Sequence, residues 1–184
     1  MSLLGELARD GKTVLHATGS RSFTQTLRKN AGYRHVDTQN LFKYFNSFIN
    51  AETDVLDVLI ADEAHRIRQT SNNRYTRAKD RSSRLQIDEL VSVAKVPVFL
   101  LDDNQVVRAG ELGSTDDIRK FATSLGHEVV HVSLTEQFRC GGSADYVRWV
   151  EQILGLSGGE PPEATLDTED SFEVLLADSP QEME

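Results

Sequence analysis

The sequence predicts an α/β fold, a three-layer sandwich in which helices cover both faces of a mainly parallel β-sheet. Strand-like and helix-like segments alternate along the chain, which is typical of parallel strands joined by helices. Two runs, "VLIA" and "VPVFLL", are continuously apolar, as expected for central strands that are buried on both faces. The 184 residues are enough to bury the core of one such domain.

The alternation defines the elements in chain order. Strands are predicted over residues 13–18, 56–61, 96–101, 128–133 and 172–177. Helices are predicted over residues 3–9, 21–30, 40–48, 85–94, 115–125 and 142–155. A segment rich in glycine, proline and acidic residues, 156–171, is predicted to be a linker. We therefore expect a main domain over residues 1–155 and the start of a second domain over residues 172–184.

Composition narrows the class of protein. The single cysteine, Cys140, excludes an intramolecular disulfide and a zinc site built on cysteines. Because the sequence has neither an apolar run of membrane length nor a signal-peptide pattern, we expect a cytoplasmic protein that does not contact membranes. The net charge of −9 arises from residues 159–184, which hold nine acids and no base. The acidity therefore does not argue against nucleic-acid binding by the main domain.

The tripeptide Gly11-Lys12-Thr13 matches the end of a phosphate-binding P-loop, but its surroundings do not. A P-loop reads G-x-x-x-x-G-K-[ST], follows a strand and opens a helix. Here five residues separate Gly5 from Gly11, and the strand-like run follows Thr13 instead of preceding it. We therefore predict that Gly11 caps the end of a helix, and that a P-loop, if the protein has one, precedes residue 1.

The strongest chemical signal is "DVLDVLIADEAHRIR", residues 54–68, an apolar strand that ends in Asp62 and Glu63. Open α/β sheets bind ligands at the carboxyl ends of their strands. One carboxylate there can hold Mg²⁺ through water while the next polarises a water molecule for attack on a terminal phosphate. The pattern indicates Asp62 for the metal and Glu63 for the water. The alternative is an acidic N-cap that opens the next helix.

Polar side chains that can contact a terminal phosphate also follow two other predicted strands. "VPVFLLDDNQVVRAGE", residues 96–111, ends in a cluster in which Gln105 can sense a terminal phosphate. In "LTEQFRCGGSADYVRWVEQILG", residues 134–155, Arg139 follows a strand and precedes a helix, where a guanidinium can reach transition-state charge. The alternatives are a solvated glutamine and an arginine that forms a surface ion pair with Glu136 or Asp145.

In this order, the three motifs resemble the RecA-like core of superfamily-one helicases, within the domain-of-unknown-function group allied to Schlafen-type ATPases. "LIADEAHRIR" resembles the Walker B motif, "FLLDDNQVVRAGE" the motif that follows it, and "LTEQFRC" the arginine motif near the domain junction. The resemblance covers residues 3–178 and lacks the P-loop. It implies ATP and Mg²⁺ as cofactors of the full-length protein. It also implies a P-loop segment and a second RecA-like domain outside these residues.

The resemblance also implies a role for each site residue. Asp62 holds the metal and helps to bind the nucleotide, and Glu63 is the catalytic residue that orients water. Gln105 is the phosphate sensor and Arg139 contacts the terminal phosphate, so both are catalytic and nucleotide-binding. His65 couples the nucleotide site to its neighbours, or equally packs under the next loop. The other histidines show no ligand spacing and are interpreted as structural or solvated; they are His16, His35, His127 and His131.

Single-stranded nucleic acid is the expected partner. The segment "TVLHATGSRSFTQTLRK" resembles the strand and loop that touch a nucleic-acid backbone, which implies contacts from Thr18, Ser20 and Arg21. Residues 66–84 hold seven Lys and Arg residues against one acid, lack apolar periodicity and are predicted to form a mobile loop. Its charge fits a phosphate backbone, although a plain solvated loop is an equal alternative. The candidate contacts in this loop are Arg74, Arg77 and Lys79.

These observations predict a fragment of an ATP-hydrolysing, nucleic-acid-dependent, helicase-like motor that is inactive without its P-loop. Two alternatives stay open. One is a non-catalytic RecA-like interaction module. The other is a Mg²⁺-dependent phosphoesterase that uses Asp62, Glu63, Asp102 and Asp103 as a two-metal cluster.

Overall fold

The computed structural model describes residues 2–105, 110–134 and 144–156, together with the single residues 158, 179 and 181. The chain divides into two units, Met1–Val130 and His131–Glu184, which we describe separately. The predicted linker and the predicted strand over 172–177 lie almost entirely outside the described residues.

The first unit is built on a four-stranded, all-parallel sheet with the strand order β2-β1-β3-β4. Its strands are β1 (Val14–Thr18), β2 (Phe42–Tyr44), β3 (Leu56–Asp62) and β4 (Ala94–Phe99). Because all four strands run in one direction, their carboxyl ends meet at the same edge of the sheet. The predicted α/β class with a mainly parallel sheet is confirmed.

Helices cover both faces of this sheet. They are α1 (Ser2–Arg9), α2 (Arg21–Ala31), α3 (Val36–Asn40), α4 (Gln86–Ser92) and α5 (Thr115–Ser124). Side chains alternate between the two faces of a strand, so neighbouring residues of β3 enter different cores. Leu59 packs in the cluster that contains Leu90 of α4, whereas Ile60 packs with Leu4 of α1 and Phe42. Burial of such side chains contributes about 1.5–3 kcal/mol each.

Helix α1 ends where the sequence predicts. Gly11 has a φ of +75°, a left-handed conformation that glycine adopts without strain. The N–H of Lys12 donates to the carbonyl of Leu7, and that of Gly11 donates to the carbonyl of Ala8. These bonds satisfy carbonyls at the end of the helix, so the prediction that Gly11 caps α1 is confirmed.

The predicted helix over residues 40–48 is wrong. The structure has β2 there, followed by a 3-10 turn at Phe45–Phe48. Phe42 pairs with His16 of β1 and is 1% exposed. The aromatic spacing in "LFKYFNSF" satisfies a helical period as well as a short strand, and pairing with β1 selects the strand.

Two further predictions about strands also fail. Strand β4 is not central: within the described residues it pairs only with β3, and Val96 is 55% exposed. The predicted strand over 128–133 has no strand partner among the described residues, and Val130 and Val132 are exposed. An apolar run alone does not form a strand, because a strand also needs a neighbour for its backbone hydrogen bonds.

The second unit contains one described helix, α6 (Ala144–Ile153), within the helix predicted over residues 142–155. Across both units, no helix in the described part of the chain is long and apolar enough to span a bilayer.

Candidate functional site

The candidate site lies at the carboxyl end of β3, the strand between β1 and β4. The parallel register places Thr18, the last residue of β1, beside Asp62. On the other side, Leu100 follows β4 and bonds to the same edge of β3: its N–H donates to Ala61, and its carbonyl accepts from Ala64. The end of β3 is therefore bordered by backbone on both sides.

Asp62 is held from two directions. Its Oδ1 accepts the N–H of Glu63 at 2.9 Å, and its Oδ2 lies 3.3 Å from Nε2 of His16 on β1. The hydrogen bond from His16 is the main reason that the pKa of Asp62 lies below its usual value, although burial acts in the opposite direction. Asp62 is therefore an anion at neutral pH. The 3-10 turn that follows, Ala64–Arg66, has no side-chain cap, so the N-cap alternative finds no support.

Glu63 has the left-handed backbone conformation, with φ +56° and ψ +42°. A non-glycine residue adopts this conformation at a cost and keeps it only where its surroundings fix it. Its Oε2 lies 3.4 Å from Nε2 of His65 and 3.3 Å from Nε of Arg66. The carboxylates of Asp62 and Glu63 therefore have different side-chain partners. His65 is 3% exposed and is therefore packed, and its role in coupling the site to its neighbours remains a prediction.

The carboxylate of Asp62 is the kind of oxygen ligand that Mg²⁺ takes in proteins. Mg²⁺ is commonly bound through one or two carboxylates together with phosphate oxygens and water, and the anionic carboxylate of Asp62 supplies one such ligand. Among the described residues, no group of three or more His, Cys, Asp or Glu side chains is arranged to hold a metal ion. The two-metal phosphoesterase interpretation, which needs Asp62, Glu63, Asp102 and Asp103 to converge, therefore gains no support from the described residues.

The cluster after β4 is directed mainly at its own turn. Asp102 accepts the N–H of Asn104 and the side-chain amide of Gln105, each at 3.0 Å. Asp103 accepts the N–H of Thr115 at the start of α5, at 2.7 Å. Gln105 is exposed at the same sheet edge as Asp62, and its role as a phosphate sensor remains a prediction. Arg139 lies outside the described residues.

A glycine that the sequence did not point to supports the turn after Glu63. A Cβ atom on Gly113 would lie 1.9 Å from the carbonyl oxygen of Ala64 and 2.7 Å from Cα of His65. The N–H of Leu112 donates to Ile67 at 2.7 Å, which fixes this approach. Since the contact joins residues far apart in the chain, no local pattern in the sequence predicts it.

A groove of about 350 Å³ opens at the ends of β1 and β2. Among the described residues that line it are two arginines, Arg21 and Arg68, and no acidic residue. A concave surface with only positive charge is suited to anions such as phosphate groups. The remaining lining residues are Thr18, Gly19, Tyr44, Phe45, Asn46, Thr70, Ser71, Asn72, Asn73 and Gln86.

The floor of this groove is a buried polar network. The amide of Gln86 donates to Oγ of Ser71 at 3.0 Å and accepts the backbone N–H of Arg68 at 2.8 Å. Ser71 in turn donates to Glu89, which is 1% exposed. Because these groups bond to one another, the floor is fixed before any ligand arrives.

The predicted nucleic-acid contacts divide into two groups. Thr18 and Arg21 line the groove, and Ser20 caps α2 by accepting the N–H of Phe23 at 3.4 Å. Three basic side chains of the predicted loop are exposed and do not line the groove; they are Arg74, Arg77 and Lys79. The loop has a 3-10 turn at Ala78–Asp80, and two hydrogen bonds between Asn72 and Ser82 close its base.

Of three comparisons with known proteins, one gives a match. No curated protein and no solved structure matches the chain. A family model described as the Schlafen group 3 DNA/RNA helicase domain matches residues 1–184, which is the whole chain. The chain therefore belongs to the Schlafen group 3 helicase domain family.

Proposed function

We propose that this chain is part of an ATP-hydrolysing motor that acts on single-stranded nucleic acid. The observation that carries the proposal is the pairing of Thr18 with Asp62. One residue of this pair lines the cationic groove, and the other belongs to the acidic end of β3. A site for hydrolysis and a site for a polyanion thus lie on adjacent strand ends, where movement at one can be transmitted to the other.

In this proposal, four residues have defined roles in ATP hydrolysis. Asp62 holds Mg²⁺, which neutralises charge on the phosphates of ATP. Glu63 accepts a hydrogen bond from the attacking water and aligns it with the terminal phosphate. Gln105 and Arg139 bind the terminal phosphate. The pattern G-x-x-x-x-G-K-[ST] does not occur in the sequence, so the loop that grips the β- and γ-phosphates is supplied by a segment outside these residues.

The nucleic acid is bound through its backbone. Arg21 and Arg68 bind phosphates in the groove, and Arg74, Arg77 and Lys79 extend the positive surface along the loop. Contacts of this kind are independent of base sequence and weaken with salt.

Glu63→Gln tests the hydrolytic part of the proposal. The change keeps the size of the side chain but removes the carboxylate, so ATP turnover of the full-length protein should fall by about 10²-fold or more. Nucleotide affinity should stay near the wild-type value, because Glu63 acts on water. Glu52→Gln, in an exposed loop, is the matched control and should retain turnover. Equal turnover in Glu63→Gln and wild type would exclude Glu63 from catalysis.

A non-catalytic interaction module is the second candidate, and the missing P-loop pattern favours it. It predicts that the full-length protein, like residues 1–184, does not bind ATP. The motor proposal predicts weak or no ATP binding by residues 1–184, since backbone N–H groups of a P-loop normally hold the phosphates. It predicts clear binding by the full-length protein. Calorimetry with ATP and Mg²⁺ on both proteins distinguishes the two functions, and micromolar binding by residues 1–184 would contradict both.

A further inference from the structure

His16, in the middle of β1, makes a contact that its position in the sequence does not reveal. It pairs with Ile60 of β3, which lies two residues before Asp62. Its Nε2 lies 3.3 Å from Oδ2 of Asp62. Since an ionised carboxylate can only accept hydrogen bonds, Nε2 must carry the proton in this contact. His16 therefore donates a hydrogen bond to Asp62 from the neighbouring strand.

The imidazole ring of His16 is held in place by packing. It is 7% exposed. The ring of Phe42 meets it edge-on, with centroids 5.8 Å apart, and the ring of Phe23 lies tilted beside it at 6.4 Å. Aromatic neighbours on two elements restrict the rotation of the imidazole, so the direction of its N–H is set by the fold.

Asp62 thereby receives one donor on each carboxylate oxygen. Oδ1 accepts from the backbone of Glu63, and Oδ2 accepts from His16. Two donors, one from β1 and one from the turn that follows β3, fix the plane of the carboxylate, while the side chain stays 28% exposed. A carboxylate that is oriented but accessible is what an incoming cation requires, and hydrogen bonds to metal-binding carboxylates commonly tune their affinity.

We propose that His16 is a positioning residue, which orients the carboxylate of Asp62 toward a nucleotide-bound divalent cation. The inference rests on the proposed function, because it takes Asp62 as the residue that holds the cation. His16 itself does not touch the cation or the nucleotide. It acts through the single hydrogen bond to Asp62, so the proposal concerns one N–H group.

The test compares a variant that loses this N–H with one that keeps an N–H donor. His16→Phe retains an aromatic ring among Phe23 and Phe42 but has no donor, whereas His16→Gln places an amide donor at similar reach. Mn²⁺, used as the probe, is titrated by electron paramagnetic resonance into the full-length protein with ATP in the Glu63→Gln background. We expect His16→Phe to weaken Mn²⁺ affinity about 10- to 100-fold, the range for lost partners of metal ligands. His16→Gln should recover most of it.

Controls separate this role from a structural one. His35→Phe changes an exposed histidine at the start of α3 and should leave Mn²⁺ affinity unchanged. If His16→Phe does not fold, His16→Leu replaces it in the same comparison with Gln. Three results would overturn the inference. His16→Phe could bind Mn²⁺ as tightly as the parent protein, or His16→Phe and His16→Gln could lose the same affinity. The third result is that the parent protein does not bind Mn²⁺. Absent ATP turnover with intact Mn²⁺ binding would instead refute the proposed function alone.

Discussion

Two neighbouring strands end in acidic clusters, but the clusters at the ends of β3 and β4 are held in different ways. Asp62 accepts a hydrogen bond from His16 on another strand, and Glu63 has a left-handed backbone at the start of a turn that Gly113 approaches closely. Asp102, in contrast, accepts hydrogen bonds from the two residues that complete its own turn. Asp62 is therefore held partly by a side chain of a neighbouring strand, whereas Asp102 is held within its own turn.

The largest expected difference between the two clusters is in catalysis. In the full-length protein, Asp62→Asn removes the cation ligand and should lower ATP turnover about 10²-fold or more, as do other losses of charge-stabilising groups. Asp102→Asn should lower the free energy of unfolding by about 1 kcal/mol, the net value of one hydrogen bond. Its turnover should stay within the wild-type order of magnitude. Comparable turnover losses in both variants would remove the distinction between the clusters.

A second prediction concerns Gly113, which packs closely against the turn after Glu63. Gly113→Ala places a Cβ against the Ala64 carbonyl and forces the turn after Glu63 to move. We expect a loss of about 1–3 kcal/mol in the free energy of unfolding, the usual cost of overpacking. Gly5→Ala in α1 is the control, since its added Cβ meets its nearest neighbour at 3.7 Å and alanine favours a helix. Denaturant titrations of both variants measure the effect, and equal stabilities would show that the turn is not held by Gly113.

The third prediction tests whether the groove beside β3 binds phosphates. Replacing both Arg21 and Arg68 by alanine should weaken binding of a single-stranded oligonucleotide roughly 10-fold at moderate salt. Each replacement should also reduce the slope of log affinity against log salt by about one. Fluorescence anisotropy at several salt concentrations gives both values. An unchanged slope would mean that these arginines do not contact phosphates.

The smallest effect is expected at the opposite end of β3. The Lys95 ammonium, 2.9 Å away, together with the N–H of Thr13, lowers the pKa of Asp57 from 3.8 to about 2. A carboxyl whose pKa is lower in the folded state stabilises the fold above pH 4, and this contribution is lost as the pH falls toward 2. Asp57→Asn should therefore lower the melting temperature slightly at pH 7, and the gap to wild type should close between pH 4 and 2. A gap that is constant with pH would contradict the pairing.

Asp57 also shows why a lowered pKa does not identify a site. It lies on the same strand as Asp62 and its pKa is lowered in the same direction, but its partners are Lys95 and the backbone of Thr13. Asp62 differs in its position, because it ends β3 at the carboxyl edge of the sheet, where open α/β sheets bind ligands, whereas Asp57 lies near the start of the same strand.

Local patterns explain what the sequence could predict. Strand β3 and the pair Asp62–Glu63 follow from one apolar run and the motif at its end. Strand β2 was missed because three residues in an aromatic segment fit two periods, and pairing with β1 decides between them. His16 and Gly113 were missed for a related reason. Their contacts with the site depend on strand register and chain crossing, and His16 is 46 positions away from Asp62.

We propose that the acidic end of β3 and the cationic groove act together, so that binding of nucleic acid stimulates ATP hydrolysis. The most direct test of this coupling is ATP turnover of the full-length protein, measured while a single-stranded oligonucleotide is titrated. We expect the oligonucleotide to stimulate turnover, and we expect the double replacement of Arg21 and Arg68 by alanine to raise the concentration for half-maximal stimulation about 10-fold. Arg9→Ala, an exposed change on α1, should leave that concentration unchanged. Two results would contradict this coupling. One is wild-type turnover that does not change with the oligonucleotide. The other is the same half-maximal concentration in the wild-type protein and the double variant.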